Sequence, residues 1–386
     1  MGVSNANKQF VCEKYRTYLE IIYHFGNKVM LMKQLYQYAE LLGLAKNFST
    51  FYISIMELVH AEVIQKEPFT AFGKKTQLQM LTLRKYGIRF IGGKQDSYSV
   101  ASVPRSNGNE RILVSIFKNC FIIKKLVPRL MKESKKVTFN AIIGMLNRDY
   151  STIILNKNQG ISFLSKLRSD DLLQQLLDVS EVDQDMKRMQ EIKLKLAEGL
   201  RKGSESSEGK GKGKMHSSSL SPLDDLKNEI HAKADKDLTK AEKLDNYTVD
   251  TMLALNAHVA QIKVVNNKVS ITVLIFDIHN KKNIHKMVTH VACMYHMFSR
   301  YFKQELILRV GIVSIDKFAS KNLKAQAESM FIDFISKERK GTRLSAILRD
   351  WRVDDEMQKW IEVQFTDYNI TNDFMDGIKH ANLIRR

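Results

Sequence analysis

Cysteine is scarce in this chain, whose three cysteines, Cys12, Cys120 and Cys293, lie far apart. No pair has the CxxC or CxxH spacing of a thiolate zinc site, and the number and spacing argue against a disulfide framework. An uncharged apolar run of 18 residues is also missing, and the first ten residues, MGVSNANKQF, contain no signal-like stretch. We therefore expect a protein of a reducing compartment that does not enter a membrane. The expected location is the cytoplasm, or the nucleoid within it in a bacterial cell.

Glycine-rich phosphate loops are missing as well. The apolar run that ends near Ile278 continues as HNKKNIH, where a dinucleotide or Walker fingerprint would place glycines. Proline is limited to four residues, and the hydrophobic and charged fractions, 44% and 27%, are close to globular averages. The chain is therefore predicted to be mostly ordered, and no cofactor is expected.

Acidic residues are outnumbered by basic ones. The chain has 42 Asp and Glu against 61 Lys and Arg, which gives a formal net charge of +19 at pH 7. Such an excess favours a polyanionic partner, because cationic side chains displace condensed counterions when they bind phosphates. Nucleic acid is the first candidate, and a merely solvated basic surface is the alternative.

At 386 residues the chain is long for one core, so we expect an α+β multidomain protein. The clearest boundary is the Gly-, Ser- and Lys-rich run at 201–222, which is typical of a flexible linker. A long amphipathic helix at 170–200 precedes it. The predicted units are an N-terminal domain at 1–104, a helical basic middle region at 105–200, the linker at 201–222, and a helical connector with an α/β domain at 223–386.

The C-terminal region alternates between two kinds of apolar pattern. The β-branched run KVSITVLIFDI at 268–278 and the run ELILRVGIVSI at 305–315 predict buried strands, and helical stretches follow each of them. This order predicts an α/β domain. We expect that domain to bind a protein partner, to form a homodimer or to sense a ligand; the helix at 170–200 is the other candidate for dimerisation.

Three amphipathic helices and a hairpin are predicted near the N-terminus. The first two helices cover 14–25 and 31–44, and Gly43 suits the turn after the second. Asn47 or Ser49 can cap the third helix, and the apolar stripe of this helix leaves the opposite face exposed. Two apolar runs around the basic sequence TAFGKKT then predict two strands with a tip. This order over 14–91 resembles the winged helix-turn-helix family of DNA-binding domains.

The resemblance implies that the third helix lies in the major groove of double-stranded DNA and that the hairpin contacts the backbone beside it. It places candidate contacts in the helices and their turn, and in a hairpin whose second strand is taken to include Arg84 and Lys85. The DNA-binding residues expected in this way are Lys33, Lys46, Asn47, Ser49, Thr50, Tyr52, Ser54, Lys74, Lys75, Arg84 and Lys85.

Two features bear on how such a domain would recognise its site. Beyond Asn47, the exposed first turns of the third helix contain no Arg, Asn or Gln, so the usual bidentate base contacts are missing and readout is expected to be weak or indirect. Basic residues between Arg105 and Arg148, Lys118 among them, extend the expected basic surface. The alternative is an ordinary helical subdomain with a hairpin, because that pattern occurs in many folds.

Catalytic and metal-binding readings have weaker support. Four C-terminal histidines lack a metal-ligand spacing: His279, His285, His290 and His296. Acids near strand ends would suit a metal-dependent nuclease: Asp277, Asp316, Asp354 and Asp355. We assign no catalytic or metal residue. A transcriptional regulator is the preferred function; a replication or recombination initiator of a plasmid, phage or mobile element is the alternative, and a metal-dependent nucleic-acid enzyme is the third.

Overall fold

The computed structural model describes residues 3–71, 74–96, 100–103, 110–133, 136–205, 240–277, 284–314 and 348–364. The architecture is mixed α+β, with two small sheets among many helices. The elements of the N-terminal part are α1 (Asn5–Lys14), α2 (Arg16–His24), β1 (Val29–Leu31), α3 (Met32–Leu41), α4 (Phe48–His60), β2 (Ile64–Ala71), β3 (Lys74–Leu83) and α5 (Lys85–Gly92).

The three N-terminal strands form one antiparallel sheet in the order β1-β3-β2. The chain enters β1 through a tight turn at Gly26, where an added Cβ atom would lie 2.5 Å from the carbonyl oxygen of Val29. Asn27 and Lys28 then take positive φ angles of 49° and 74°. This turn places β1 beside β3, so that α2 and α3 pack on the sheet.

A central helix follows, formed by α6 (Glu110–Phe121), a π-helical segment (Ile122–Leu126) and α7 (Val127–Glu133). The π turns precede Pro128, which has no N–H for the Lys124 carbonyl, and a wider turn accommodates this loss. Residues 112–122 are all buried, as in a helix that is surrounded on every side. Its polar residues therefore need partners within the protein.

The remaining elements build the second half of the fold. They are α8 (Phe139–Arg148), α9 (Gly160–Arg168), α10 (Asp171–Gln174), α11 (Val179–Glu205), α12 (Lys240–Asp245), α13 (Val249–Ala254), β4 (Ala257–Val265), β5 (Lys268–Asp277), α14 (Ile284–Tyr301), β6 (Leu306–Ser314), α15 (Asp355–Gln358) and β7 (Ile361–Gln364). The strand order is β4-β5-β6-β7, in which β4 pairs antiparallel with β5 and the other pairs are parallel.

Strand β5 separates two hydrophobic cores. Successive side chains of a strand point to opposite faces of its sheet. Leu274 and Phe276 belong to the core that contains the N-terminal helices and α6, whereas Val273 and Ile275 belong to the core built on α9, α11 and α14. Both faces of this sheet are thus covered, which explains why β5 and β6 are nearly continuous apolar runs in the sequence.

Several predicted boundaries change in the structure. The helix expected at 14–25 is preceded by α1, and the helix expected at 170–200 consists of a short α10 and a long α11. Helix α11 continues to Glu205, so the first residues of the expected linker are helical, and 206–222 lie outside the described residues. Most of the connector and the helix expected after β6 lie outside them as well. Within the described parts, no helix has the length and apolar character needed to cross a membrane.

Candidate nucleic-acid interface

The turn between α3 and α4 is fixed by local hydrogen bonds. Gly43 has a φ of +67°, as the sequence predicts, and the Leu44 N–H donates to the Ala39 carbonyl at 2.8 Å. The Asn47 side chain then caps α4 by accepting from the Thr50 N–H at 2.9 Å. These contacts set the direction in which α4 leaves the turn.

One face of α4 is buried, and large apolar side chains are also exposed beside and opposite that face. Phe51, Ile55 and Leu58, at helical spacing, are fully buried. The N-terminal half of the helix and the preceding turn expose four large apolar side chains, which we name the apolar α4 face: Leu44, Phe48, Tyr52 and Ile53, with exposed fractions of 36%, 46%, 37% and 60%. Exposed apolar side chains that form a group of this kind often mark a surface that contacts another molecule.

Most of the polar groups predicted to contact bases already form hydrogen bonds within the protein. The Asn47 Oδ1 atom accepts from both the backbone N–H and the hydroxyl of Thr50. The Ser54 hydroxyl donates to the Thr50 carbonyl at 3.1 Å, and Ser54 is only half-exposed. Ser49 is exposed in the first turn. The polar capacity of this surface is therefore small.

The exposed rings are held by their neighbours. Phe48 lies edge-on to Tyr36 of α3, with ring centroids 5.2 Å apart, and 6.1 Å from the Tyr52 ring. The Lys66 Nζ atom of β2 donates to the Tyr52 hydroxyl at 3.1 Å and lies 4.9 Å from the centre of that ring. The rings are thus positioned before any partner binds.

Cations border the apolar α4 face. Lys46 is exposed in the turn before α4. Lys33, in the first turn of α3, is also exposed but lines a small cavity against α6 together with Ile116 and Lys124. Lys66 approaches from β2 through its contact with Tyr52. Helix α4 and its cap contain no lysine, arginine or glutamine, so the positive charge lies beside the helix.

The acidic side chains at the end of α4 are neutralised by α1. Lys14 donates to Glu57 at 2.8 Å, and Lys8 donates to Glu62 at 3.1 Å. The Lys14 ammonium holds the pKa of Glu57 below its ordinary value. These two lysines are therefore engaged, and the repulsion that Glu57 and Glu62 would exert on a polyanion is reduced.

The strand register separates the basic residues of the hairpin into two places. Lys74 and Lys75 begin β3 and pair with Ala71 and Thr70 at the tip, whereas β3 ends at Leu83. The expectation that Arg84 and Lys85 lie in the second strand is wrong: Arg84 is the N-cap of α5 and Lys85 is its first residue. With a rise of about 3.3 Å per residue, the two ends of β3 lie about 30 Å apart.

The expected extension of the basic surface into the middle region is also corrected in part. Lys118 is buried in α6, and its Nζ atom donates to the Leu155 carbonyl at 3.0 Å. Arg129 forms a bidentate pair with the buried Asp149 at 2.8 and 2.9 Å. Lys132 and Lys136 are exposed. The basic residues of this region therefore divide between structural and surface positions.

The C-terminal groups considered for metal or acid chemistry do not converge in the described parts of the chain. Asp277 ends β5 opposite Ser314 of β6, Asp354 caps α15, and His296 bonds to the Trp351 carbonyl through Nε2 at 2.8 Å. No group of three His, Cys, Asp or Glu side chains among the described residues is arranged to hold a metal ion. Asp316 and His279, and the side chain of His285, lie outside the described residues.

Sequence reasoning missed Phe48, Ile53 and Lys66. The available signal was the excess of apolar residues in α4, since a helix that buries a single stripe does not need apolar side chains at Phe48 and Ile53 as well. Lys66 could not be found from spacing, because its contact with Tyr52 depends on how β2 packs beside α4.

Comparison with known proteins gives no matching family model, no matching curated protein and no matching solved structure.

Proposed function

We propose that this protein binds double-stranded DNA through a winged helix-turn-helix unit formed by α2, β1, α3, α4, β2 and β3. The observation that carries the proposal is the sheet order β1-β3-β2, in which a short strand before α3 pairs with the second strand of the hairpin. The N-terminal half of α4 lies on the surface, where a groove of DNA can approach it. The net charge of +19 supports a polyanionic partner.

In this proposal the backbone contacts come from cations beside α4 and at the hairpin tip. Lys46 and Lys66 lie next to the helix, Lys33 is exposed in the first turn of α3, and Lys74 and Lys75 are at the tip. Contacts of this kind fix position and strength but carry no sequence information. Each phosphate contact makes the slope of log affinity against log salt concentration more negative by about 0.9.

The test is a salt titration of the full chain with a labelled mixed-sequence duplex, followed by fluorescence anisotropy. The variant K74A/K75A removes two cations from the tip, and we expect its salt slope to be shallower by about 1.8 than that of the unmodified protein. The matched control is R84A/K85A, which removes the same charge at the opposite end of β3. That variant should keep the original slope.

The outcomes separate local docking from general attraction. Equal weakening in the two variants would mean that net charge alone drives binding, and the hairpin would then have no special place. Salt-independent or undetectable binding of the unmodified chain would refute DNA binding through this unit.

Regulation of transcription is the role we propose for this docking. A replication initiator would use the same contact, and the two roles differ in whether the bound site lies at a promoter or at an origin. We also propose that the C-terminal α/β region joins two copies or binds a protein partner. Sedimentation of the full chain with and without a duplex carrying paired half-sites tests dimerisation.

A further inference from the structure

The chemistry of the apolar α4 face differs from what a closed duplex offers. The major groove presents hydrogen-bonding edges, and the thymine methyl is its main apolar group. Phe48, Tyr52 and Ile53 offer rings and an aliphatic side chain instead. Burying them against hydrated base edges would remove water from those polar edges without replacing their hydrogen bonds.

Unpaired bases offer a better match. A base out of the duplex exposes its flat face, and stacking on an aromatic side chain is favourable for every base. Phe48 is braced by Tyr36, and Tyr52 is held by Lys66, so both rings are already ordered. Ordering before binding lowers the entropy lost when a base stacks.

The charge around the face points to a nucleic acid rather than to another apolar surface. Lys46 is exposed two residues before Phe48, and the Lys66 ammonium lies 4.9 Å from the centre of the Tyr52 ring. Aromatic side chains bordered by cations are the combination that binds the bases and the backbone of a single strand together.

We infer that the apolar α4 face binds unpaired bases, so that the protein favours single-stranded or locally melted DNA over the closed duplex. Phe48 and Tyr52 stack on bases, Ile53 and Leu44 extend the apolar contact, and the bordering lysines hold phosphates. This inference rests on the proposed function, since it concerns the same helix, and it names the form of DNA which that helix recognises.

The experiment compares three labelled probes of one sequence: a single strand, the closed duplex, and the duplex with a central mismatched bubble. Binding of the full chain and of F48A/Y52A is measured by anisotropy at one salt concentration. We expect tighter binding of the single strand and the bubble by the unmodified chain. The variant should lose about tenfold or more in affinity for each ring on those probes, and its loss of affinity for the closed duplex should be much smaller.

Two controls keep the result interpretable. The variant L172A/I192A removes exposed apolar side chains from α10 and α11 and should bind all three probes normally. The variant F48W keeps an aromatic ring, so it reports stacking as quenching of tryptophan fluorescence even if F48A/Y52A folds poorly. The native Trp351 and Trp360 pack against the second core and supply a constant background.

Failure of this inference and failure of the proposed function give different results in this experiment. Binding of the duplex and the bubble with equal affinity, unaffected in F48A/Y52A, would overturn this inference and leave the proposed function standing. No binding of any probe would overturn both. A change in solution mass of F48A/Y52A, together with unaltered DNA affinity, would instead assign the face to contacts between copies of the chain and overturn the inference as well.

Discussion

Replacing the buried Lys118 by methionine should change the pH dependence of stability. Lys118 is 9% exposed in α6, its amine donates to the Leu155 carbonyl, and no carboxylate of the described residues forms an ion pair with it. Burial lowers the pKa of Lys118 from 10.5 to about 7. Folding therefore favours the neutral amine.

Proton linkage determines the direction and the size of this pH dependence of stability. Between pH 7 and 10.5 the unfolded chain binds a proton that the folded chain does not, so the free energy of unfolding rises with pH by up to about 1.4 kcal/mol per unit. The penalty is about 4 kcal/mol at pH 7 and about 1 kcal/mol at pH 10. K118M removes this penalty but leaves the Leu155 carbonyl without its donor, at a cost of about 1–3 kcal/mol.

We therefore expect K118M to be more stable than the unmodified protein at pH 7 by about 1–3 kcal/mol, and equally or less stable at pH 10. The assay is urea unfolding followed by far-ultraviolet circular dichroism at several pH values between 7 and 10. The matched control is K132M, which changes an exposed lysine of α7 and should show no pH-dependent difference. A stability difference for K118M that stays constant over this pH range would refute the reasoning.

Three further predictions concern stability and are checked by thermal or urea unfolding. D149N removes the carboxylate that pairs bidentately with Arg129 and should cost about 2–3 kcal/mol; an effect below about 0.5 kcal/mol would show that the pair adds little. N47A removes the cap of α4 and should cost about 1 kcal/mol, whereas N47D should restore most of it. G26A forces a Cβ atom against two backbone carbonyls and should cost about 1–3 kcal/mol. G144A, on an open face of α8, should instead stabilise by about 0.5–1 kcal/mol, and equal effects of the two glycine changes would contradict the packing argument.

Local sequence signals predicted the elements whose cause is local. The cap of α4, which the sequence allowed at Asn47 or Ser49 and which is Asn47, depends on neighbouring residues. The same holds for the positive φ of Gly43, the β2–β3 hairpin and the β5–α14–β6 order, all of which the structure has. Strand β1 was missed because three residues have no readable period and its pairing with β3 depends on a contact distant in sequence.

The sequence predicted the position of the exposed surface on α4, but not the chemical character of that surface. The first turns of α4 were identified as the exposed surface, and Tyr52 is part of it. Asn47 and Thr50 were predicted to contact bases, but their side chains bond to each other instead. Lys118 was misplaced because charge alone predicts exposure, whereas its surroundings in α6 come from both halves of the chain.

The dual packing of β5 also has a consequence for how the protein is made. The core around the N-terminal helices is completed by Ala260, Leu274, Phe276 and Val313, which are synthesised long after the helices they cover. At elongation rates of about 5–20 residues per second, the apolar side of α6 waits on the order of ten seconds or more for these side chains. During that interval the nascent chain presents a surface that chaperones recognise, so the yield of folded protein should depend on translation speed between α6 and β6.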